Sequence, residues 1–199
     1  MSLVIVDTGC ANLASVQYAF ERLGVTTQIS DVAETIKSAD RIILPGVGSA
    51  PFAMKSINNK GLVPVLQSLD QPVMGICLGM QLLFETLEEG RQKTAGLGLV
   101  SGNITTLETG DLPSPHMGWN TLNSVKDDPL LKNVNDGDHA YFVHSYAAPL
   151  SSETLATSEY GTPFSAIVRQ GNVWGCQFHP ERSSKTGAQI LKNFVELDL

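Results

Sequence analysis

A glycine-flanked cysteine, Cys77, constrains the fold more than any other feature of the sequence. Residues 73–76 form an apolar run that is typical of a short buried strand. The apolar spacing from residue 78 to about residue 87 predicts a helix directly after that strand. Gly75 and Gly79 stand on either side of the cysteine. We therefore predict a sharp strand-to-helix turn that presents a thiol.

The two glycines beside Cys77 have a steric explanation. A side chain held in a strained turn needs neighbours without Cβ atoms, so that the backbone can pass close to it. The same construction, with serine in place of cysteine, holds the nucleophile of hydrolases that carry a G-x-S-x-G turn. The free N–H groups and the positive dipole end of the helix favour a thiolate over a thiol there. Cys77 is therefore a candidate nucleophile, and the alternative is a small buried hydrophobic residue.

Length and composition exclude several classes of protein. A chain of 199 residues with 42% hydrophobic and 17% charged residues fits one domain, 1–199, with a full core. The net charge of −7 and the lack of any Lys/Arg run argue against nucleic-acid binding. No apolar run reaches the roughly 18 residues that span a membrane, and no signal peptide is recognisable. Three widely spaced cysteines form neither a disulfide framework nor a metal site, so we expect a cytoplasmic protein.

Strands and helices alternate through the first half of the chain. Strand-like runs at 3–6, 26–29 and 41–44 precede the Cys77 turn, and amphipathic helical spacing separates them. This pattern predicts an α/β fold with a mostly parallel twisted sheet and helices on both faces. The second half changes to strand-like segments, two of them joined by a hairpin turn at 170–172. It therefore predicts an antiparallel C-terminal section, which a final helix at about 185–197 closes.

Several polar or glycine-rich loops follow predicted strands. Asn12 comes after the first strand, the loop of Gly46, Val47 and Gly48 after the third, and Cys77 after the fourth. Ligands of parallel α/β sheets bind at the carboxyl ends of the strands. We therefore expect these residues at one edge of the sheet, where the glycines of the loop permit unusual backbone angles or a close approach to a ligand.

His179 is the candidate base for the thiol. It follows a strand, and Pro180 biases it towards an extended conformation. Residues two apart in an extended chain project to the same side, so Glu181 can accept the Nδ1 proton of His179 and leave Nε2 for the thiol. Alone, a His-Pro-Glu segment is more often a surface turn; together with the Cys77 turn it indicates a catalytic pair.

The other histidines and cysteines rank lower as catalytic groups. His144 lies in a strand, where it either lines the pocket or is a satisfied sheet histidine. His116 lies in a Pro-rich loop and His139 at a strand start, so both are expected to be structural or solvated. Cys10 and Cys176 have neither the glycine turn nor an obvious base, and we expect them to be structural.

Three segments resemble the signature blocks of the class I (triad) glutamine amidotransferases, which have a flavodoxin-like fold and need no cofactor. They are PGVG at 45–48, GICLGMQ at 75–81 and QFHPE at 177–181. More narrowly, the whole chain resembles the glutaminase subunits of imidazole glycerol phosphate synthases. That resemblance depends on DTGCANL at 7–13, PHMGWN at 115–120 and YFVHSY at 141–146.

The resemblance implies a Cys-His-Glu triad that hydrolyses glutamine. Cys77 would attack the side-chain amide, His179 would act as acid and base, and Glu181 would orient His179. The backbone N–H of Leu78 would hold the oxyanion together with one from the 46–48 loop. That loop can keep its donor turned away until a partner binds. The residues expected to bind glutamine are Gly46, Gly48, Gln81, Glu85, Ser145 and Tyr146, and a solvated helix charge is the alternative for Glu85.

The resemblance also implies a partner chain. A free glutaminase would waste glutamine and lose ammonia to water, and 199 residues leave no room for a synthase domain. We expect a heterodimer with a (β/α)8-barrel cyclase subunit. The matching interface positions are Asn12, Trp119, Tyr141 and Arg182; a core position is the alternative for Trp119. The alternative functions are the glutaminase subunit of another amidotransferase and a non-catalytic binding protein.

Overall fold

Strands and helices alternate through the first half of the chain, and strands dominate the second half. The protein is described by a computed structural model over residues 1–89 and 92–198. Its strands are β1 (Leu3–Val6), β2 (Thr27–Ser30), β3 (Arg41–Gly46), β4 (Val73–Cys77), β5 (Phe84–Glu89), β6 (Gln92–Ala95), β7 (Val100–Thr106), β8 (His116–Thr121), β9 (His139–His144), β10 (Tyr146–Ala147), β11 (Thr154–Tyr160), β12 (Thr162–Gln170) and β13 (Val173–Cys176).

The helices are short, and within the described ranges none is long and apolar enough to cross a membrane. They are α1 (Leu13–Arg22), α2 (Ala33–Lys37), α3 (Ala50–Asn59), α4 (Val63–Gln67), α5 (Leu78–Leu82) and α6 (Ser184–Val195), and 3₁₀ turns span Pro129–Leu131 and Pro180–Arg182.

A seven-stranded sheet forms the centre of the fold, in the order β11-β12-β13-β4-β3-β1-β2. The five strands from β13 to β2 are parallel, whereas β11 and β12 are antiparallel to their neighbours. A four-stranded sheet, β10-β7-β5-β6, and the two-stranded sheet β8-β9 complete the second half. The predicted α/β architecture with an antiparallel C-terminal section is therefore confirmed.

The continuous apolar run of β1 follows from helices on both faces of the sheet. Leu3 and Ile5 belong to a core cluster that includes α1 and α6 residues, whereas Val4 and Val6 pack with residues of α2 to α5. Successive strand side chains point to opposite faces, so a strand that is covered on both sides must be apolar at every position. The same two-sided burial explains the apolar run of β4.

The functional loops lie together at the carboxyl edge of this sheet, as predicted. Gly46, the last residue of β3, pairs with Cys77, the last residue of β4. Asn12 follows β1 and caps α1, because its side chain accepts a hydrogen bond of 3.3 Å from the Ser15 N–H. The parallel register thus brings three segments of the first half to one place.

The predicted turn at Cys77 is present, and it is strained. Cys77 has φ 54° and ψ −113°, in the left-handed region that disfavours side chains other than glycine. A Cβ atom on Gly79 would overlap the carbonyl oxygen of Leu44 on β3. A Cβ atom on Gly75 would lie 2.6 Å from the Met80 backbone. The glycines are therefore needed because α5 begins in direct contact with the neighbouring strand.

The helix after this turn is shorter than its apolar spacing predicts. It ends at Leu82, and residues 84–89 form β5 instead of continuing the helix to residue 87. Phe84 and Leu87 are both buried, and they pack in the same core cluster although they are three residues apart in a strand. This burial reproduces the spacing of a helix face, which is why the prediction was wrong.

We expect Gly79→Ala to lower the free energy of unfolding by about 3 kcal/mol or more, since no side chain can move away to accommodate the new Cβ atom. Gly98→Ala is the control, because Gly98 has φ +65° and open space around it. The control should lose only the roughly 1–2 kcal/mol of left-handed backbone strain. Equal losses for the two variants in urea unfolding would contradict the close contact at position 79.

Candidate active site

The sequence-predicted triad converges at the carboxyl edge of the sheet. Cys77 and His179 both line a cleft of about 360 Å³. Nδ1 of His179 lies 2.8 Å from Oε1 of Glu181, and both side chains are almost fully buried. Nε2 of His179 has no hydrogen-bond partner within the part of the chain that the structure describes. That nitrogen is therefore available for the sulfur and for a substrate in the cleft.

Local backbone contacts hold His179 in place. The residue follows β13 with φ −98° and ψ 96°, the extended geometry that Pro180 favours. Its N–H donates to the carbonyl of Tyr141, and its own carbonyl accepts a 2.7 Å hydrogen bond from Ser183. The Glu181 side chain then comes from the first turn of the following 3₁₀ segment. The imidazole is thus fixed by three neighbouring elements: β9, β13 and this turn.

The electrostatics of the cleft favour a protonated His179. Burial lowers the pKa of His179, but its interactions with the neighbouring Cys77 and Glu181 outweigh burial and raise the pKa to about 10. An imidazolium beside a cysteine stabilises the thiolate form. At neutral pH the imidazole of His179 therefore holds its proton.

The two candidate oxyanion donors differ in their present bonding. Leu78 lines the cleft at the first turn of α5. The N–H of Val47, in contrast, donates a 2.8 Å hydrogen bond to the carbonyl of Cys10, in the loop after β1. Gly48 has φ +92°, a conformation that glycine adopts readily. The peptide next to it in the 46–48 loop can therefore rotate without a side-chain clash at Gly48. The loop therefore holds the Val47 donor away from the cleft.

Most residues expected to bind glutamine lie around the same cleft. Gly48, Gln81, Ser145 and Tyr146 line it. Nε2 of Gln81 donates to the carbonyl of Tyr146 at 2.9 Å and to Oε1 of Gln177 at 3.0 Å, so its side chain is held rigidly. Gly46 lies under the turn, where an added Cβ atom would approach the Gly79 nitrogen to 2.9 Å.

Glu85 does not line the cleft, whereas Glu89, which the sequence analysis did not single out, does. Since α5 ends at Leu82, Glu85 is exposed on β5, and its carboxylate accepts from the Gly102 N–H at 3.0 Å. Glu89, at the end of the same strand, lines the cleft and accepts a 2.8 Å hydrogen bond from the Ala50 N–H. A correct prediction of β5 would have placed Glu89 at a strand end beside the loops of the site.

The residues assigned to a partner interface gather on one face. Asn12, Tyr141 and Arg182 line a second cavity, of about 240 Å³, which shares Val47 and His179 with the cleft. Trp119 is 53% exposed and packs edge-on against Tyr141, with ring centroids 5.9 Å apart. The alternative of a core tryptophan is therefore wrong. An aromatic face lies directly beside the triad.

The remaining histidines and cysteines differ in how far they are buried and in whether they line the cleft. His144 lines the cleft and is also hydrogen-bonded to His116. It is therefore both a pocket residue and a satisfied sheet histidine, the two alternatives that the sequence left open. His116 is buried at the start of β8, not solvated in a loop, whereas His139 is exposed. Cys176 is fully buried, and burial raises the pKa of its thiol well above the usual range.

The chain belongs to the class I glutamine amidotransferase family, whose family model matches residues 4–197. It is 49% identical to the imidazole glycerol phosphate synthase subunit HisH of Vibrio parahaemolyticus, over 98% of each chain. It is 51% identical to the subunit of the same name from Mannheimia succiniciproducens, over 98% of this chain and 99% of the relative.

Similarity to solved structures supports the same fold. A crystal structure of a glutamine amidotransferase matches with a TM-score of 0.75 at 19% identity, over 97% of both chains. The glutaminase domain of Trypanosoma brucei CTPS with bound acivicin matches with a TM-score of 0.67 at 15% identity, over 100% of this chain and 96% of that one. At such identities the match concerns the fold alone.

The raised pKa of His179 predicts that its imidazole keeps its proton through the neutral range. Because this pKa is about 10, we expect the imidazole ¹⁵N signals of His179, assigned by comparison with His179→Ala, to remain those of an imidazolium from pH 6 to pH 8. An ordinary imidazole, with a pKa of about 6.5, would lose its proton within this range.

Glu181→Gln removes one of the groups that raise the pKa of His179, so the imidazole of this variant should lose its proton at a lower pH than in the wild-type protein. Glu85→Gln is the control, because Glu85 is exposed on β5 and bonds to the Gly102 N–H, and it should leave the His179 titration unchanged. Loss of the imidazolium signals between pH 6 and pH 8 in the wild-type protein would contradict the raised pKa.

Proposed function

We propose that this chain is the glutaminase subunit of an imidazole glycerol phosphate synthase. It hydrolyses glutamine to glutamate and ammonia, and the ammonia passes to a (β/α)8-barrel cyclase subunit, which makes imidazole glycerol phosphate and an aminoimidazole carboxamide ribonucleotide in histidine biosynthesis. The observation that carries the proposal is the convergence of the strained Cys77 turn with the His179–Glu181 pair in one cleft. Relatives that are about 50% identical to this chain bear this subunit's name, which favours this function over the glutaminase of another amidotransferase.

The chemistry follows from the resting protonation of the site. The sulfur of Cys77 attacks the side-chain carbonyl carbon of glutamine and forms a tetrahedral oxyanion. His179 then gives its Nε2 proton to the nitrogen, the C–N bond breaks, and ammonia leaves a glutamyl thioester behind. The imidazole, now neutral, takes a proton from water as the water attacks the thioester. Collapse of this second tetrahedral intermediate breaks the C–S bond and frees the sulfur as a thiolate, while the proton from water stays on His179 and the carboxyl proton of glutamate is lost to solvent.

Glu181 acts through His179 and not on the substrate. Its Oε1 accepts the hydrogen bond from Nδ1–H, which fixes the ring so that Nε2 faces the cleft. The positive charge of the protonated imidazole is balanced by this buried carboxylate. This arrangement allows one histidine to serve as acid in the first half of the reaction and as base in the second.

The oxyanion site explains why the glutaminase depends on a partner. Leu78 supplies one backbone donor, and the second must come from Val47 or Gly48. The Val47 N–H is bonded to the Cys10 carbonyl, so the peptide must rotate before it can donate to the oxyanion. One such donor is typically worth about 10²–10³ in kcat. A partner that favours the rotated loop would therefore switch the glutaminase on.

The cleft offers complementary groups for both ends of glutamine. We assign the carboxylate of Glu89 to the substrate ammonium group, since Glu89 is the acidic residue among those that line the cleft. Gln81 and the segment Ser145–Tyr146 offer polar atoms to the rest of the amino acid. Cys77, at the turn, then faces the side-chain amide.

The partner binds, in this proposal, to the face formed by Asn12, Trp119, Tyr141 and Arg182. The second cavity lies on this face and shares Val47 and His179 with the glutamine cleft. Ammonia released at His179 therefore has a short path towards the partner. The same contact reaches the loop that carries the oxyanion donor, so channelling and activation involve the same surface.

We also propose that residues 1–199 act as one glutaminase domain in the cytoplasm. The central sheet combines β1 to β4 from the first half with β11 to β13 from the second, and the site needs both. The cysteines at positions 10, 77 and 176 are unpaired, as expected in a reducing compartment. No cofactor enters the proposed reaction.

Cys77→Ser tests the proposed function in the complex with the cyclase. Serine is a much weaker nucleophile without a stronger base, so glutamine-dependent synthesis should fall by about 10³-fold or more. Synthesis from added ammonium salt should continue at the wild-type rate, because the cyclase is untouched. Cys10→Ser is the control and should retain activity with glutamine, because the contact of Cys10 with the oxyanion loop is through its backbone carbonyl. Retained use of glutamine by Cys77→Ser would remove Cys77 from the chemistry.

A further inference from the structure

We propose that His116 and His144, with Asn120, form a hydrogen-bonded chain of fixed polarity that positions the Tyr146 carbonyl in the glutamine cleft. Neither ring takes part in the triad. Both are positioning residues, and the group that they position is the Tyr146 carbonyl. The role in glutamine binding depends on the proposed function, whereas the polarity of the chain can be measured without it.

The chain runs from β8 to the cleft through two buried imidazoles. Nδ2 of Asn120 lies 3.3 Å from Nε2 of His116, and Nδ1 of His116 lies 2.9 Å from Nε2 of His144. Nδ1 of His144 lies 2.9 Å from the carbonyl oxygen of Tyr146. His116 and His144 are 2% and 6% exposed, so water does not compete for these bonds.

Both ends of this chain fix the direction of every bond. At one end, Asn120 Oδ1 accepts from the Thr121 N–H and Nδ2 donates to the Glu159 carbonyl, which sets the orientation of the amide. At the other end, the Tyr146 carbonyl can only accept. His116 must therefore accept at Nε2 and donate from Nδ1, and His144 must do the same. Both rings are neutral and carry their proton on Nδ1.

A proton added to either ring would break the chain. On His116 it would point an Nε2–H at the amide N–H of Asn120, and on His144 it would point one at the Nδ1–H of His116. Burial lowers the pKa of both histidines to about 4, and the neighbouring His179 disfavours charge on His144 further. The His116 ring cannot swing away, because it stacks between Phe142 and Tyr160 at 5.0 and 4.1 Å.

The last acceptor of the hydrogen-bonded chain, the Tyr146 carbonyl, is the group that the chain positions. The Tyr146 carbonyl also accepts the hydrogen bond from Nε2 of Gln81, so His144 and Gln81 hold the same oxygen. His144 ends β9 of the two-stranded sheet, while Tyr146 begins β10 of the four-stranded sheet. The His144 ring thus bridges the corner between two sheets, and that corner carries Ser145 and Tyr146 into the cleft.

The other end of the chain lies on the strand that faces the proposed partner. His116 and Asn120 belong to β8, as do the exposed residues Met117 and Trp119. A shift of β8 towards or away from β9 would change the His116–His144 distance and, through it, the support of the Tyr146 carbonyl. The chain therefore links the partner face to the substrate-binding corner.

Imidazole ¹⁵N NMR of the intact protein directly tests the polarity of the hydrogen-bonded chain. Signals of His116 and His144 are assigned from the spectra of His116→Phe and His144→Phe. In the wild-type chain we expect both rings to be neutral with the proton on Nδ1 from about pH 5 to pH 8, a range in which an ordinary imidazole titrates. An Nε2–H tautomer or protonation of either ring within that range would overturn the proposal.

Kinetics of the complex with the cyclase test the positioning role. His116→Phe keeps an aromatic ring in the stack and removes both nitrogens. We expect the KM for glutamine to rise about tenfold, the effect of one strong neutral hydrogen bond, while synthesis from ammonium salt stays unchanged. His139→Phe is the matched control, since His139 is an exposed histidine on the same pair of strands, and its KM should stay at the wild-type value.

An unchanged KM in His116→Phe, or an equal rise in His139→Phe, would overturn the positioning role. Failure of the proposed function gives a different result. The wild-type complex would then make no use of glutamine, and the NMR measurement on the wild-type chain would still decide whether the polarised chain exists.

Discussion

The close contact of backbone with backbone at the Cys77 turn is the constraint on which the rest of the structure depends. Gly79 places α5 directly against the Leu44 carbonyl, so the cysteine must adopt a left-handed conformation between β4 and the helix. This geometry is unfavourable for an isolated peptide. It persists because β3 and β4 are held in parallel register at the centre of a buried sheet. Packing of the core thus maintains the strained turn. The turn presents the sulfur at the edge of the sheet, close to His179, which follows β13.

Local signals predicted the triad, and long-range geometry explains what they missed. Glycines around a cysteine, and a carboxylate two residues after a histidine, report on the backbone within a few residues, so the sequence alone indicates Cys77, His179 and Glu181 as the candidate triad. The extent of α5 and the place of Glu85 depended on β5, in which the buried residues Phe84 and Leu87 have the spacing of a helix face although they lie in a strand. Glu89 was missed for the same reason.

Contacts between distant segments could not be predicted from the sequence at all. The hydrogen bond from Val47 to Cys10 depends on which way one peptide is turned, and the glycines of its loop permit either orientation. The pairing of His116 with His144 needs the register of β8 on β9, which brings them opposite each other. In both cases the residue types were evident, but the partner of each was set by the fold.

Whether Cys77 is the nucleophile of a glutamine-binding cleft can be tested with a glutamine-analogue electrophile. The complex with the cyclase is treated with 6-diazo-5-oxonorleucine, and the modified peptide is identified by mass spectrometry. We expect a single adduct, on Cys77, whose formation is slowed by added glutamine and is lost in His179→Ala. An adduct elsewhere, or none while the complex still consumes glutamine, would show that Cys77 is not the nucleophile.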